Sequence, residues 1–193
     1  MILVKIREAN ISDSNELAHL HKVSFGRDHF TTNFPLKLLN NYFEYLILHF
    51  PYKLIVTNVD GTIRGYLFAG KKINAQMNLF LKANLLRVFC SLISNPRFLT
   101  EKIKEFVSRF LIKGIESDNE ISLYLIAIDQ KFKGSGMGGE LITHFEKELD
   151  VKGEKSYNLS VRKGHDSAIG FYRKLNFIQI AENKTSIKFR KSL

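Results

Sequence analysis

The sequence predicts one α/β domain of the α+β kind: a mixed, mostly antiparallel sheet of about seven strands flanked by helices, with a helical insertion in the middle of the chain. Three observations predict it. Apolar runs of period two and of period 3.6 follow one another along the 193 residues. A composition of 45% hydrophobic and 12% aromatic residues is enough for one buried core and too little for two full-size domains. No repeat, linker or low-complexity tract divides the pattern, so residues 1–193 read as a single domain.

The elements follow in order. Ile2 to Arg7 alternates and reads as a first strand. Asp13 or Ser12 caps a helix that runs to about Phe25, with Leu17, Leu20 and Val23 on its apolar side. After the polar GRDHFTTN, Pro35 opens a second helix whose Leu36, Leu39, Tyr42, Phe43, Leu46 and Ile47 keep helical spacing. Tyr52 to Asn58 and Thr62 to Ala69 are strands joined at Asp60-Gly61, a pair suited to a tight hairpin. The insertion, residues 71–118, holds one long helix marked by Ile73, Met77, Phe80, Leu81, Leu85, Val88, Phe89 and Leu92. Asn95-Pro96 then starts another, carried by Leu99, Ile103, Phe106, Val107 and Phe110. Glu120 to Ile128 is a strand, Gly136 to Leu149 a helix, Tyr157 to Val161 a strand and Asp166 to Leu175 a helix. The tail FIQIAENKTSIKFRK closes as a hairpin turning at Glu182-Asn183-Lys184.

Charge narrows the partners. The formal net charge is +10, and nine basic residues between Lys71 and Lys113 are opposed there only by Glu101 and Glu105. Such an excess suits a nucleic acid, an anionic membrane or a polyphosphate ligand. Nucleic acid is set aside, because the cations are not interleaved with a stacking platform and no reading helix is evident. The single cysteine, Cys90, forms no internal disulfide and falls in an apolar helical pattern, as a buried thiol would. The N-terminal run lacks the basic start, apolar middle and small-residue cleavage site of a signal peptide, and no apolar run approaches the roughly 18 residues a membrane span needs. A cytoplasmic protein is expected, with no metal site.

The chemistry is concentrated in KFKGSGMGGELI, Lys131 to Ile142, where four glycines fall in six residues between a strand and a helix. Glycine keeps Cβ atoms out of an anion's path, and successive backbone N–H groups at a helix N-terminus form an anion nest. Gly134, Gly136 and Gly139 satisfy the dinucleotide fingerprint literally, yet too few βα units follow and no acidic residue ends a second parallel strand. A nucleoside triphosphate loop needs a lysine followed by a hydroxyl residue, which is absent. Turn-forming glycine alone is the plainest alternative.

From Ile126 the text IAIDQKFKGSGMGGELITHFEKEL resembles motif A of the GCN5-related N-acetyltransferases, with Lys133, Gly134, Ser135, Gly136, Met137 and Gly138 at the loop. Lys133 stands where that family has Arg or Gln, keeping the charge without the bidentate fork. Gln130 stands where a proline is often found. Downstream, SVRKGHDSAIGFYRKLNFIQI resembles motif B, with Ala168, Phe171, Tyr172 and Phe177 in register, His165 in place of asparagine and Asn176 in place of glycine. Asn tolerates the left-handed backbone that glycine supplies at a helix end. The resemblance covers nearly the whole chain outside the insertion.

The resemblance implies acetyl-CoA as co-substrate and direct attack of a primary amine on the thioester. Ile126, Ala127 and Ile128 would line the pantetheine arm, Ile126 and Ile128 through backbone groups. Lys133 to Gly138 would hold the pyrophosphate, with His165 and Ala168 beside them. Tyr172 would protonate the departing thiolate. His21, His29, Asp129 and Tyr124 are candidates for the base, and Phe25, His29, Phe30 and Tyr42 for the acceptor side. A cationic wall suits a small anionic amine, such as a nucleotide-linked amino sugar, over a polyamine. The different class of function is a non-enzymatic acyl-CoA-binding module that docks on a membrane surface or partner through the cationic insertion. Self-association is compatible with either.

Overall fold

Strands form where apolar residues lack a helical period, and they need neighbours to satisfy their backbone. The computed structural model describes residues 4–25, 29–88 and 119–193. In chain order these hold β1 (Lys5–Glu8), α1 (Ser14–Ser24), α2 (Leu36–His49), β2 (Tyr52–Thr57), β3 (Ile63–Gly70), α3 (Ile73–Ala83), β4 (Ile121–Ile128), α4 (Met137–Val151), β5 (Ser156–Arg162), α5 (Asp166–Lys174), β6 (Ile178–Glu182) and β7 (Ser186–Ser192). The seven strands make one sheet of order β1-β2-β3-β4-β5-β7-β6. Every neighbouring pair is antiparallel except β4 with β5. This is the mixed, mostly antiparallel sheet that the sequence predicts.

β4 carries an irregularity that shapes everything near it. Leu125 faces Phe68 and Leu123 faces Ala69, so Tyr124 is the extra residue of a bulge. One extra residue moves the strand's alternation by one. Ile121 and Leu123 before it, and Ile126 and Ile128 after it, therefore face the same core. Pairing of β4 with β5 runs from Ile121↔Tyr157 to Leu123↔Leu159 and ends just before the bulge. Beyond it β4 stays on β3 as far as Ile128↔Gly65, while β5 stays on β7 as far as Arg162↔Ser186. The two strands part.

The described residues group into two compact units, one with the sheet, α4 and α5, the other with α1, α2 and α3. In the first, α4 buries Met137, Leu141, Ile142, Phe145 and Leu149 along one helical stripe, in one cluster with Tyr52, Leu54, Val56 and Leu67 of the sheet. Each such side chain contributes about 1.5–3 kcal/mol relative to exposure. At the closed end of the β4–β5 pair, buried Asn158 accepts from the Ser122 hydroxyl and donates to Glu120, which also binds Arg190. These bonds join β4, β5 and β7 where they still run side by side.

In the second unit α1 and α2 bury Leu17, Ala18 and Leu20, and Leu39, Phe43 and Leu46. Tyr42 is buried too, its ring edge-on to Phe43 and to Phe80 of α3. The Tyr45 hydroxyl donates to the Gln76 carbonyl at 2.8 Å.

Two local expectations are corrected. Asp13 ends up at the N-cap of α1 but makes no side-chain cap bond there. Its carboxylate accepts from the Asn10 N–H at 2.8 Å, and Asn10 accepts from Ser12, so the reciprocal box starts a short 3-10 turn three residues earlier. The long insertion helix is interrupted after Ala83, where the Asn84 side chain donates to the Phe80 carbonyl and its N–H is shared by the Phe80 and Leu81 carbonyls, and residues 85–88 are helical again. The second insertion helix and Cys90 lie outside the described residues. No helix among the described residues is long and apolar enough to cross a membrane.

Gly65 fixes how closely β3 and β4 approach. A Cβ there would lie 2.8 Å from the Ala127 carbonyl oxygen and 2.4 Å from the Ile128 side chain. Backbone at that range cannot yield, so Gly65→Ala should destabilise the fold by about 1–3 kcal/mol, read as a lower urea midpoint at unchanged slope.

Candidate active site

Whether a strand offers its backbone to a ligand depends on what its neighbour has already taken. In an antiparallel pair, alternate residues exchange both bonds with the partner strand, and the residues between them point theirs the other way. The Asp129 N–H donates to the Arg64 carbonyl at 2.7 Å, which sets the phase. Leu125 and Ala127 therefore spend their backbone groups on β3, opposite Phe68 and Tyr66. Ile126 and Ile128 turn theirs toward the side from which β5 has departed. Of the three residues expected to line an acyl-carrier arm, two offer backbone groups and Ala127 does not.

The loop after β4 is fixed by its own bonds. Asp129 accepts from the Lys131 N–H and pairs with Arg64 at 3.1 Å, and the Arg64 guanidinium lies over the Phe132 ring. The N–H of Lys133 goes to the Gln130 carbonyl and that of Ser135 to the Phe132 carbonyl. What is left over is specific. Among the described residues the N–H groups of Gly134, Gly136, Met137, Gly138 and Gly139 have no acceptor, and the first helical bond of α4 is Glu140 N–H to the Gly136 carbonyl. Four of these five are the unsatisfied donors at the start of a 15-residue helix, where the dipole favours an anion. Gly134 and Gly136 have φ of +83° and +92°, a backbone that L side chains rarely adopt. Gly138 is needed for another reason, since a Cβ there would meet the Phe171 ring of α5 at 3.3 Å. Gly139 lies outside the motif window read in the sequence, and counting the orphan donors of the helix finds it.

Lys133 and Ser135 are exposed, while the Met137 side chain is buried in the core, so Met137 presents only its backbone to the loop. On the second motif His165 stands at the N-cap of α5 without a side-chain cap bond, and its carbonyl accepts from the Ala168 and Ile169 N–H groups. Asn176 adopts φ of 64° directly after α5, the left-handed turn that its chemistry permits. Tyr172 is buried in the cluster against which Ile126, Ile128 and Ala168 pack, with ring contacts to Phe171, Phe177 and Phe189. Burial pushes that phenol above its usual range, so at neutral pH it holds a proton and is no base.

The candidates for the acceptor side and the base are each held by their own neighbours. Phe25 and His29 are partly buried and their rings lie 4.4 Å apart, whereas Tyr42 belongs to the core of its unit. Phe30 starts a short 3-10 turn, Phe30–Asn33. The His21 Nε2 and His29 Nδ1 meet on one hydroxyl, Thr31 Oγ1, at 2.6 and 3.0 Å. Asp129 is committed to Arg64 and the loop, and Tyr124 is the bulge residue. No cluster of three or more metal-ligating side chains occurs among the described residues.

Comparison with known proteins gives partial likenesses in sequence and near-complete ones in fold. The model of the FR47-like protein family matches residues 107–186. An acetyltransferase of Yersinia enterocolitica is 36% identical over 56 residues, 29% of this chain and 40% of the relative. The ribosomal protein bS18-alanine N-acetyltransferase of Salmonella typhimurium is 32% identical over 83 residues, 42% of this chain and 55% of the relative. The chain thus spans about half the length of the curated relatives it matches, or less. Among solved structures, a PaiA N-acetyltransferase from Thermoplasma acidophilum in complex with coenzyme A superposes over 100% of both chains with a TM-score of 0.64 at 13% identity. The ribosomal-protein-S18-alanine N-acetyltransferase from Escherichia coli covers 98% of this chain and 94% of its own, with a TM-score of 0.57 at 14% identity. These likenesses show the fold.

Gly139 separates anion binding from folding. Its φ is ordinary and a Cβ there meets nothing within 4 Å. An acid in the first turn of a helix is favoured by the dipole, by about 0.3–1 kcal/mol, and replacing glycine adds a similar gain. Gly139→Asp should therefore raise the melting temperature while weakening coenzyme A binding about ten-fold or more in calorimetry, because the carboxylate repels phosphate. Opposite signs are expected, and loss of both would mark a folding defect.

His21 makes stability depend on pH. Burial, and next the neighbouring His29, hold its imidazole down at about 3. The unfolded chain takes up this proton near pH 6.5 and the folded one refuses it, so the contribution is whole above 6.5 and is lost as pH falls toward 3. Urea midpoints should drop across that window with a slope near 1.4 kcal/mol per pH unit, and His21→Gln should flatten this component.

Proposed function

Because this chain belongs to the GCN5-related N-acetyltransferase superfamily, we propose that it transfers an acetyl group from acetyl-CoA to a primary amine, the acceptor being a small anionic amine such as a nucleotide-linked amino sugar. One observation carries the reading: the backbone groups of Ile126 and Ile128, released by the parting of β4 from β5, lie on the strand that leads directly into five unsatisfied N–H groups at the start of α4. An extended pantetheine needs the first kind of partner and a pyrophosphate the second. The residues present fit coenzyme A on both counts.

In this reading, Gly134, Gly136, Met137, Gly138 and Gly139 hold the pyrophosphate through backbone N–H groups, with Lys133 adding charge from the exposed loop. His165 and Ala168 stand at the first turn of α5, beside the same arm. Ile126 and Ile128 orient the pantetheine and present an N–H to the thioester carbonyl, where preorganised donors stabilise developing negative charge. When bound, acetyl-CoA supplies an activated acyl group on a thiol leaving group. Tyr172 supplies the proton that the departing sulfur takes up. Burial keeps its phenol protonated at neutral pH, so the proton is in place when the sulfur departs.

The excess of cations in the insertion supports an anionic acceptor, and Phe25, His29 and Phe30 are proposed to contact it, whereas Tyr42 is packed against Phe43 and Phe80 in the core of its unit. The Salmonella relative acts, by its name, on an alanine of a ribosomal protein, which makes a peptide N-terminus the competing acceptor. Thiol release from acetyl-CoA across a panel of amines decides between them. A nucleotide amino sugar should give the highest kcat/KM. A higher value for an alanine-terminated peptide would replace that acceptor, and binding of NAD in place of acetyl-CoA would remove the reading.

Tyr172→Phe keeps the ring packed in its aromatic cluster and removes only the hydroxyl, so fold and cofactor affinity should survive. With chemistry rate-limiting, kcat and kcat/KM should fall together by roughly ten- to a thousand-fold, the pattern of an interaction made only in the transition state. Turnover within about twofold of the parent would reduce Tyr172 to a packing residue.

A further inference from the structure

The inner face of α3 is committed and its outer face is not. Ile73, Met77 and Phe80 are buried, while Leu79 is 59% exposed and stands one helical turn from exposed Lys82. After the interruption at Asn84, Leu85 and Leu86 are 65% and 79% exposed and Arg87 is exposed beside them. A soluble surface helix normally reverses this arrangement, with acidic and basic residues mixed on its outer side. Here the mixture is missing. From Lys71 to Thr100 the chain has five basic residues and no Asp or Glu. Of the four cations among its described residues, Lys71 is spent on Glu154, which leaves Lys72, Lys82 and Arg87 around the leucines.

We propose that α3 and the turn after it, through Leu79, Leu85 and Leu86 flanked by Lys72, Lys82 and Arg87, rest on an anionic lipid surface. The leucines enter the boundary between headgroups and acyl chains, and the long cationic side chains reach back to the headgroups. Charge argues for this occupant over a second copy of the chain. A symmetric dimer through the same face would set Lys72, Lys82 and Arg87 against their own copies, in a protein that already carries a net +10. Lipid supplies both the apolar depth and the negative charge. The face peripherally anchors the protein without spanning, which agrees with the 11-residue length of α3.

The test uses the full chain and vesicles of phosphatidylcholine alone, or with about a third phosphatidylglycerol. The protein should sediment with the anionic vesicles, about ten-fold or more above the zwitterionic ones, and should be released by raised salt. Lys82→Glu should weaken binding about ten- to thirty-fold and Leu86→Ser about ten-fold. Both positions are exposed, so the melting temperature should not change, and if one variant unfolds the other with the salt series still decides. Absence of sedimentation with anionic vesicles overturns the proposal, as does indifference to lipid charge or to both substitutions. A lipid-free dimer that Leu86→Ser dissociates would assign the face to a second copy instead, and an acidic protein that competes it off unaided would assign it to that partner.

Discussion

One extra residue in one strand conditions the rest of this molecule. Parallel pairing between β4 and β5 would, if continued, engage the backbone of Ile126 and Ile128 and leave a closed sheet with nothing to offer a ligand. Tyr124 prevents that. By inserting a residue it bends β4, keeps its C-terminal half on β3, and lets β5 follow β7 away. The same insertion returns Ile126 and Ile128 to the core side, so their side chains hold the strand in place while their backbone groups are left over. Opposing this release is the polar clamp of Glu120, Ser122, Asn158 and Arg190, which keeps the strands together at the other end. A fork closed at one end by partly buried hydrogen bonds and opened at the other by a bulge is a stable opening, because neither half can zip or unzip without losing partners.

Much of this was legible in the sequence because it is local. Strand and helix positions follow from apolar spacing, Gly61 and Asn176 from the left-handed turns they make, and the open turn before α4 from its glycines. The bulge was not legible. ISLYLIAI contains no glycine or proline, and nothing in eight apolar or small residues says that Leu123 and Leu125 will face adjacent residues of a strand more than fifty positions away. Register is a property of the pair. Asn84 hid for a related reason: its neighbours keep the helical period on both sides, and the interruption comes where its side chain competes for the Phe80 carbonyl.

The loop teaches the same distinction on a smaller scale. A motif read as six consecutive residues treats each as an equal contributor. The bonds within the loop sort them: Lys133 and Ser135 lose their N–H groups to the turn, and Gly139, one place beyond the motif, keeps its own. Which donors are free is decided by the turn's internal closure and the helix's four-residue phase. Neither is written in residue identity.

That division explains how the site tolerates the departures this chain shows. Lys133 stands for Arg or Gln, Gln130 for proline, His165 for asparagine and Asn176 for glycine, yet none of these side chains makes the opening or the free donors. The geometry lives in the backbone, and the side chains that hold the backbone are others: Arg64 and Asp129 brace the loop, and Phe171 packs against the first turn of α4 where Gly138 leaves it room. A site built this way can drift in sequence as long as its bracing survives. Tyr172 is the exception. It is the one proposed participant whose side chain must act, and it stands in a cluster of aromatic rings that fix where its hydroxyl can be.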